Sequence, residues 1–465
     1  MSGVKGGARP LVVIDVVGLT PTFLEAGWTP HISELAREGF WASIDGVFPA
    51  LTCSAQSTYL TGTNPNSHGI VGNGWFFRDL SEIWLWRQSN HLVQGEKIWE
   101  ALRRYDPDSR TASLFWWYNM ASSVDWAVTP RPVYHADGRK DPDIYTVPEE
   151  LGEQLQEELG TFPLFNFWGP AAGRSSTEWI VESAVRVIRE KQPQLCLVYL
   201  PHLDYDLQRF GPSGATVEGE VRFVDQEVGR LIGAARERGA EVVCLSEYGI
   251  EEVTGPVHIN RHLREAGFLS VTTNAAGELL DPSQSRAFAV ADHQIAHVYV
   301  ARQSDREAVR ECLQSLDGVE SVLDQEGRRA HEVDHERCGE FLAVSRKDRW
   351  FSYYYWIDED RAPDFARTVE IHRKPGYDPV ELFLDPQIAF PKWAILRRLM
   401  KKKCGFRTLM DVVGLDGSLV RGSHGRLADD SKSGPILVSG SAVEARDTIR
   451  ATEVQEFLLG IMRNR

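Results

Sequence analysis

The feature that most constrains this chain is a set of short, wholly apolar runs set between helical patterns. Leu11-Val-Val-Ile14, Leu195-Cys-Leu-Val-Tyr-Leu200 and Val242-Val-Cys-Leu245 have no polar face to offer water. A sheet with one wet face would alternate polar and apolar residues, whereas continuous runs belong to strands covered by helices on both sides. The intervening segments supply those helices. Thr29 to Gly39 reads as a short helix closed by glycine, and Trp179, Ile180, Ala184, Val187 and Ile188 share one face of another. Val217, Val221, Val224, Val228, Leu231 and Ala235 mark a long amphipathic helix that stops at Gly239. The expected fold is α/β, a central and mainly parallel sheet sandwiched by helices.

Beyond about residue 295 the texture changes. His297–Val300 and Gly339–Val344 read as strands and Arg306–Leu316 as a helix, so a small inserted α+β subdomain is expected at 296–385. It would divide an α/β core at 1–295 from a C-terminal return at 386–465, with a strand at Pro435–Val438 and a helix at Val454–Met462. The aromatic run Trp350–Trp356 alternates as a strand would and is read as packing.

Charge narrows the function. Fifty-one Lys and Arg against 66 Asp and Glu give a net charge of −15 over 465 residues. Such a surface repels nucleic acid and anionic lipid at long range, which predicts no nucleic-acid partner and no membrane partner. A phosphate substrate then needs metal ions or a local basic pocket, for which Arg373 and Lys374 are candidates. The most apolar N-terminal stretch, Leu11–Leu19, is short and interrupted by Asp15, and the six cysteines show no paired spacing. Both features predict a cytoplasmic protein.

In open α/β sheets reactive groups gather at the carboxyl ends of strands. Asp15 ends the first strand, and Thr52 lies where a strand-like Ala42–Val47 gives way to a helix. Asp204 follows the run ending at Leu200, Glu247 and Tyr248 follow the run ending at Leu245, and His424 sits in Gly-Ser-His-Gly425. Carboxylates and imidazole converging from five loops call for divalent cations, since that much buried charge is otherwise costly. Plainer roles compete: Thr52 as a helix cap, Asp15 as a turn cap, and His68 as a structural residue after the Thr52 helix.

Taken in order, several segments resemble the alkaline phosphatase superfamily, in its nucleotide pyrophosphatase/phosphodiesterase (type I phosphodiesterase) branch. They are Ile14–Leu19, Phe48–Thr52 running into Leu60–Ile70, Asp204 through Gly211-Pro212, Ser246–Gly249 and Gly422–Gly425. The resemblance implies two zinc ions and a threonine nucleophile, Thr52, that forms a covalent phospho-enzyme. Asp15 would ligate the metal that binds Thr52, while Asp204 and His424 would bind the second. It further implies a small phosphorylated substrate and hydrolysis of a phosphodiester, nucleotide pyrophosphate or phosphonate bond.

The chain departs from the family pattern at the metals. Gln208 stands where a histidine is expected, four residues after Asp204, and Glu247-Tyr248 stands for Asp-His. Oxygen donors at Gln208, Glu247 and Tyr248 shift the expected cations from zinc towards Mn²⁺ or Mg²⁺ unless another histidine substitutes. The candidates are His202, on the side of Asp204 if that segment stays extended, the pair Asp292-His293, and His372. Two rival readings remain: an inactive relative that binds a phosphorylated metabolite or a protein partner, and a phosphomutase.

Overall fold

The strand Leu11–Val16 is buried at all six positions because it is the middle of nine strands, with neighbours on both edges and helices on both faces. The computed structural model describes residues 8–136 and 139–463. From edge to edge the large sheet runs Thr448–Arg450, Phe40–Asp45, Ile436–Ser439, Glu241–Leu245, Leu11–Val16, Leu195–Leu200, Thr111–Leu114, Trp126–Pro130 and Ile144–Val147. The five strands from Glu241–Leu245 to Trp126–Pro130 are mutually parallel, and antiparallel neighbours flank them on either side. Helices Pro30–Glu38, Arg174–Arg186 and Val217–Arg236 pack together on one face. Thr52–Thr61, Ile98–Tyr105 and Val454–Arg463 cover the other. The α/β sandwich expected from the apolar runs is the fold observed.

Register places the chemistry. Asp15 lies level with Tyr199 on one neighbour and Leu245 on the other. The segments that continue from those strands, Pro201–Asp204 and Ser246–Glu247, therefore leave the sheet beside it.

A second, four-stranded sheet is ordered Ala287–Asp292, Ile295–Val300, Phe341–Ser345 and Val319–Leu323, all antiparallel. It begins at Ala287, ahead of the expected boundary at 296, because Ala287–Asp292 pairs with Ile295–Val300 as a hairpin instead of joining the core. The aromatic run supplies only the short strand Arg349–Phe351, and Tyr353, Tyr354, Tyr355 and Trp356 are buried beneath the second sheet.

Candidate active site

The helix Thr52–Thr61 starts at Thr52, with Leu51 as an extended capping residue. The Thr52 hydroxyl caps nothing; it lies 2.8 Å from the Tyr248 hydroxyl. One turn further along the same helix face, the Gln56 amide donates to Asp15 Oδ2 at 3.1 Å and to Glu247 Oε1 at 2.6 Å. The Trp117 backbone N–H donates to Gln56 Oε1 at 2.8 Å, which fixes the NH₂ end towards the two carboxyls. Burial pushes Asp15 up to about 7, against the hydrogen bonds to Glu247 and Gln56, and burial together with the neighbouring Asp15 charge pushes Glu247 well above the usual carboxyl range. Asp204, a half-buried residue, has its carboxyl pushed up to about 7, chiefly by desolvation.

His424 is brought to this place by glycine. A Cβ on Gly422 would lie 2.0 Å from the Leu207 carbonyl, so only glycine lets Gly422–Ser423 rest on the helix His202–Phe210 that carries Asp204 and Gln208. The His424 ring then stacks on Tyr248, with centroids 3.6 Å apart and planes 9° apart. Its Nδ1 donates to the Ala50 carbonyl at 2.8 Å, just before Thr52. A carbonyl only accepts, and burial holds this imidazole neutral, so Nε2 is a bare lone pair.

His293 has the same construction. It occupies the two-residue turn between Ala287–Asp292 and Ile295–Val300 at φ 58°, a left-handed backbone region uncommon for non-glycine residues but visited more often by Asn, Asp and His than by others. Its Nδ1 lies 2.8 Å from Asp292 Oδ1, and Asp292 also accepts from Asn73 N and Nδ2 at 2.8 and 3.1 Å. Burial holds His293 neutral as well, leaving its Nε2 bare. Its ring lies 3.8 Å from His424 on one side and 3.7 Å from Tyr377 on the other. A histidine whose second nitrogen is committed to a carboxylate or carbonyl is oriented as metal ligands are.

The buried atoms without a hydrogen-bond partner include Asp15 Oδ1, Glu247 Oε2, Asp204 Oδ1, His293 Nε2 and His424 Nε2, all capable of donating lone pairs. This donor chemistry fits divalent cations. Four of these five donors come in pairs, Asp15 with Glu247 and His293 with His424, and among the described residues no three His, Cys, Asp or Glu stand together as a ready-made site. Gln208 does not fit the ligand role: its Oε1 accepts from Tyr377 OH at 2.8 Å, leaving the amide NH₂ turned inward. Tyr248 does not fit as a phenolate, because burial drives its ionisation far above 10 and its hydroxyl is engaged with Thr52.

The expected substitute His202 lies elsewhere. The segment is helical from His202, not extended, so residues two apart diverge by roughly 200° around the axis. His202 bonds Thr177 Oγ1 at 3.1 Å and Glu220 Oε2 at 2.7 Å instead. His372 is 3.4 Å from the Leu85 carbonyl and lies against Tyr134. Lys374 supplies no free charge, since it is buried between Asp378 and Glu381 at 2.7 Å each, and Arg373 pairs with Asp364. His68 is structural, bonding Thr58 at 3.0 Å and accepting from Ile70 N at 3.1 Å. Gln56, Asn73 and Tyr377 escaped the sequence reading; only Gln56, four residues after Thr52, carried a usable signal.

Over nearly its full length the fold is similar to two solved enzymes. Phosphonoacetate hydrolase from Sinorhizobium meliloti 1021, in complex with phosphonoformate, superposes with a TM-score of 0.62 at 15% identity, covering 98% of this chain and 96% of that one. Murine ectonucleotide pyrophosphatase/phosphodiesterase 5 gives 0.59 at 13% identity with the same coverage. In sequence, an uncharacterized pyrophosphatase/phosphodiesterase of Schizosaccharomyces pombe is 25% identical over 251 residues, 52% of this chain and 44% of that protein. Mouse ectonucleotide pyrophosphatase/phosphodiesterase family member 1 is 20% identical over 285 residues, 58% of this chain and 27% of that protein. The matched regions thus span less than half the length of these curated relatives. The family model for type I phosphodiesterase/nucleotide pyrophosphatase matches residues 11–378, and the chain belongs to that family.

Proposed function

We propose that this protein hydrolyses a phosphodiester, pyrophosphate or phosphonate bond through a covalent intermediate on Thr52. The observation behind this reading is the placement of one hydroxyl, at the first residue of a helix and bonded to Tyr248 instead of capping that helix, beside buried carboxyl and imidazole atoms that have no partner of their own. The Thr52 Oγ would attack phosphorus as its O–H bond breaks, expelling the leaving group on the opposite side. Water would then cleave the phospho-threonine and return the hydroxyl.

Asp15 and Glu247 would hold one divalent cation beside Thr52, and Asp204, His424 and His293 the other. When bound, the cations supply charge neutralisation and lower the pKa of the nucleophile and of water. Tyr248 positions the Thr52 hydroxyl through the 2.8 Å contact and is too weakly acidic to act as its base. Gln56 keeps the Asp15 and Glu247 carboxyls facing one another. In this reading His293 takes the place that Gln208 leaves without an imidazole. The relation to solved proteins supports the role of threonine: a threonine-to-alanine form of the murine neighbour is inactive and was obtained with AMP.

The test is turnover of an aryl phosphodiester and an aryl phosphonate with added Zn²⁺ or Mn²⁺, followed by acid quenching and mass spectrometry of the Thr52 peptide. A phosphoryl adduct on Thr52, absent from Thr52→Ala together with turnover, is the expected outcome. Turnover by Thr52→Ala at near the wild-type rate sinks the assignment. The rival reading, a binding relative, is favoured by the engagement of Thr52 with Tyr248. It would prevail if AMP binds while neither substrate turns over with any added metal.

A further inference from the structure

The helix Pro391–Lys403 has no buried residue, although it carries Trp393, Leu396, Leu399 and Met400. Trp393 is 70% exposed and Met400 59%, and Phe390 and Phe406 just beyond its ends are 72% and 66% exposed. Soluble surfaces carry single exposed apolar residues routinely, but not a contiguous row of this kind. At 100° per residue, Trp393, Leu396 and Met400 fall within about 60° of arc, centred on the outward face. Ala394, Ile395, Arg398 and Lys402, the partly covered positions, face the protein. Arg397 and Lys401 border the apolar row on one side, and Lys392, Leu399 and Lys403 on the other.

Charge sets this segment apart from the rest of the chain. Residues 386–410 contain seven Lys and Arg and no carboxylate, in a chain of net charge −15. Of the seven, only Arg398 is paired with a carboxylate, Asp411, among the described residues. An apolar row with an aromatic anchor and a cationic border matches a surface that is negative outside and hydrocarbon beneath. It is the pattern of a helix that lies in the plane of a bilayer. A helix of 13 residues is roughly 20 Å long, enough to lie on a membrane, and no helix among the described residues is long and apolar enough to cross one. The expectation of no membrane partner averaged charge over the whole chain. At physiological salt a surface feels charges within about 8 Å, so this segment outweighs the acidic body behind it.

We propose that Pro391–Lys403 docks the protein on an anionic lipid surface, with Phe390, Trp393, Leu396 and Met400 entering the headgroup boundary. A second copy of the same helix would bring like charges together and is the less suitable occupant.

The experiment is flotation of the full chain with vesicles of phosphatidylcholine alone, or with about a third phosphatidylserine. Binding to the mixed vesicles only, weakened by salt, is expected. Arg397→Gln/Lys401→Gln/Lys403→Gln should lower partitioning by roughly a hundredfold, at about fivefold per charge. Trp393→Ser/Met400→Ser should abolish it, with thermal unfolding and turnover of an aryl phosphodiester unchanged in both variants. No flotation by the wild-type chain, equal flotation with both vesicle types, or a concentration-dependent dimer that Trp393→Ser/Met400→Ser disperses would each overturn the proposal.

Discussion

Replacing Gln56 with leucine tests whether the two inward carboxyls are held by one amide. Gln56 is 1% exposed, and its amide makes three bonds: to Asp15 Oδ2, to Glu247 Oε1 and from Trp117 N. A hydrogen bond to an acidic group contributes roughly 1.5–3 kcal/mol, and an orphaned backbone N–H costs about 1–3 kcal/mol. Leucine is close in volume, so the cavity contribution is small. Simple addition gives about 4–9 kcal/mol, and relaxation of the carboxyls onto their own shared proton leaves about 4 kcal/mol as the net loss. Unfolding entropy near 60 °C is roughly 2.1 cal/mol/K per residue, or about 1 kcal/mol/K for this chain, so the expected fall in Tm is about 4 °C. Scanning calorimetry in chelator measures it. Gln56→Glu sharpens the result, because it adds a third carboxyl: its Tm in chelator should fall further, and Mn²⁺ should raise it by more than in wild type. A Tm for Gln56→Leu within about half a degree of wild type would refute the reasoning, as would Gln56→Glu indifferent to Mn²⁺.

The other predictions concern the histidines and their supports. His293→Gln should weaken Zn²⁺ or Mn²⁺ binding at least tenfold in a chelator competition, and Asp292→Asn by about 10–100-fold, while His202→Gln leaves it unchanged; equal effects at His202 and His293 would remove His293 from the ligand set. Glu220 has its carboxyl held down at about 2, first by the bond from His202 and against burial. Its folded value lies below its ordinary value of 4.5, so its stabilisation is full above pH 4.5 and lost as pH falls through about 2. Glu220→Gln should therefore cost about 2 kcal/mol at pH 7, with the gap to wild type closing between those limits in urea titrations. Gly422→Ala should displace His424, because the new methyl meets the Leu207 carbonyl at 2.0 Å; unchanged stability and metal binding would show that the strand can move freely.

The sheet was legible because strands covered on both faces have to be apolar throughout, and Leu11–Ile14 and Leu195–Leu200 satisfy that without help from distant contacts. The boundary of the second sheet was not. Ala287-Phe-Ala-Val-Ala-Asp292 is as apolar as a core strand, and only its pairing with Ile295–Val300 assigns it to the other sheet. His202 was misjudged from a local cue that was present: Leu203, Leu207 and Phe210 recur at helical spacing directly after Pro201. Read as a helix, the segment separates His202 from Asp204 at once.

The site was harder to read because its side chains are linked through packing rather than by position in sequence. Gln208 is tied to the Tyr377 hydroxyl, the Tyr377 ring lies on His293, His293 on His424, and His424 on Tyr248, which bonds Thr52. The five side chains before Thr52 in that series come from a helix, a loop, a hairpin turn, a short strand's end and a strand-to-loop junction. None is adjacent in sequence to the next one it touches, so no spacing rule links them. Each ring restricts the next, and His293, at a φ of 58°, is fixed by Asp292 on one edge and by two rings on its faces. A histidine at Gln208 would lose the partner of Tyr377 and loosen the far end of the stack. Gln208 and His293 are therefore linked through the Tyr377 ring that both contact, a relation that a family pattern applied one residue at a time does not register.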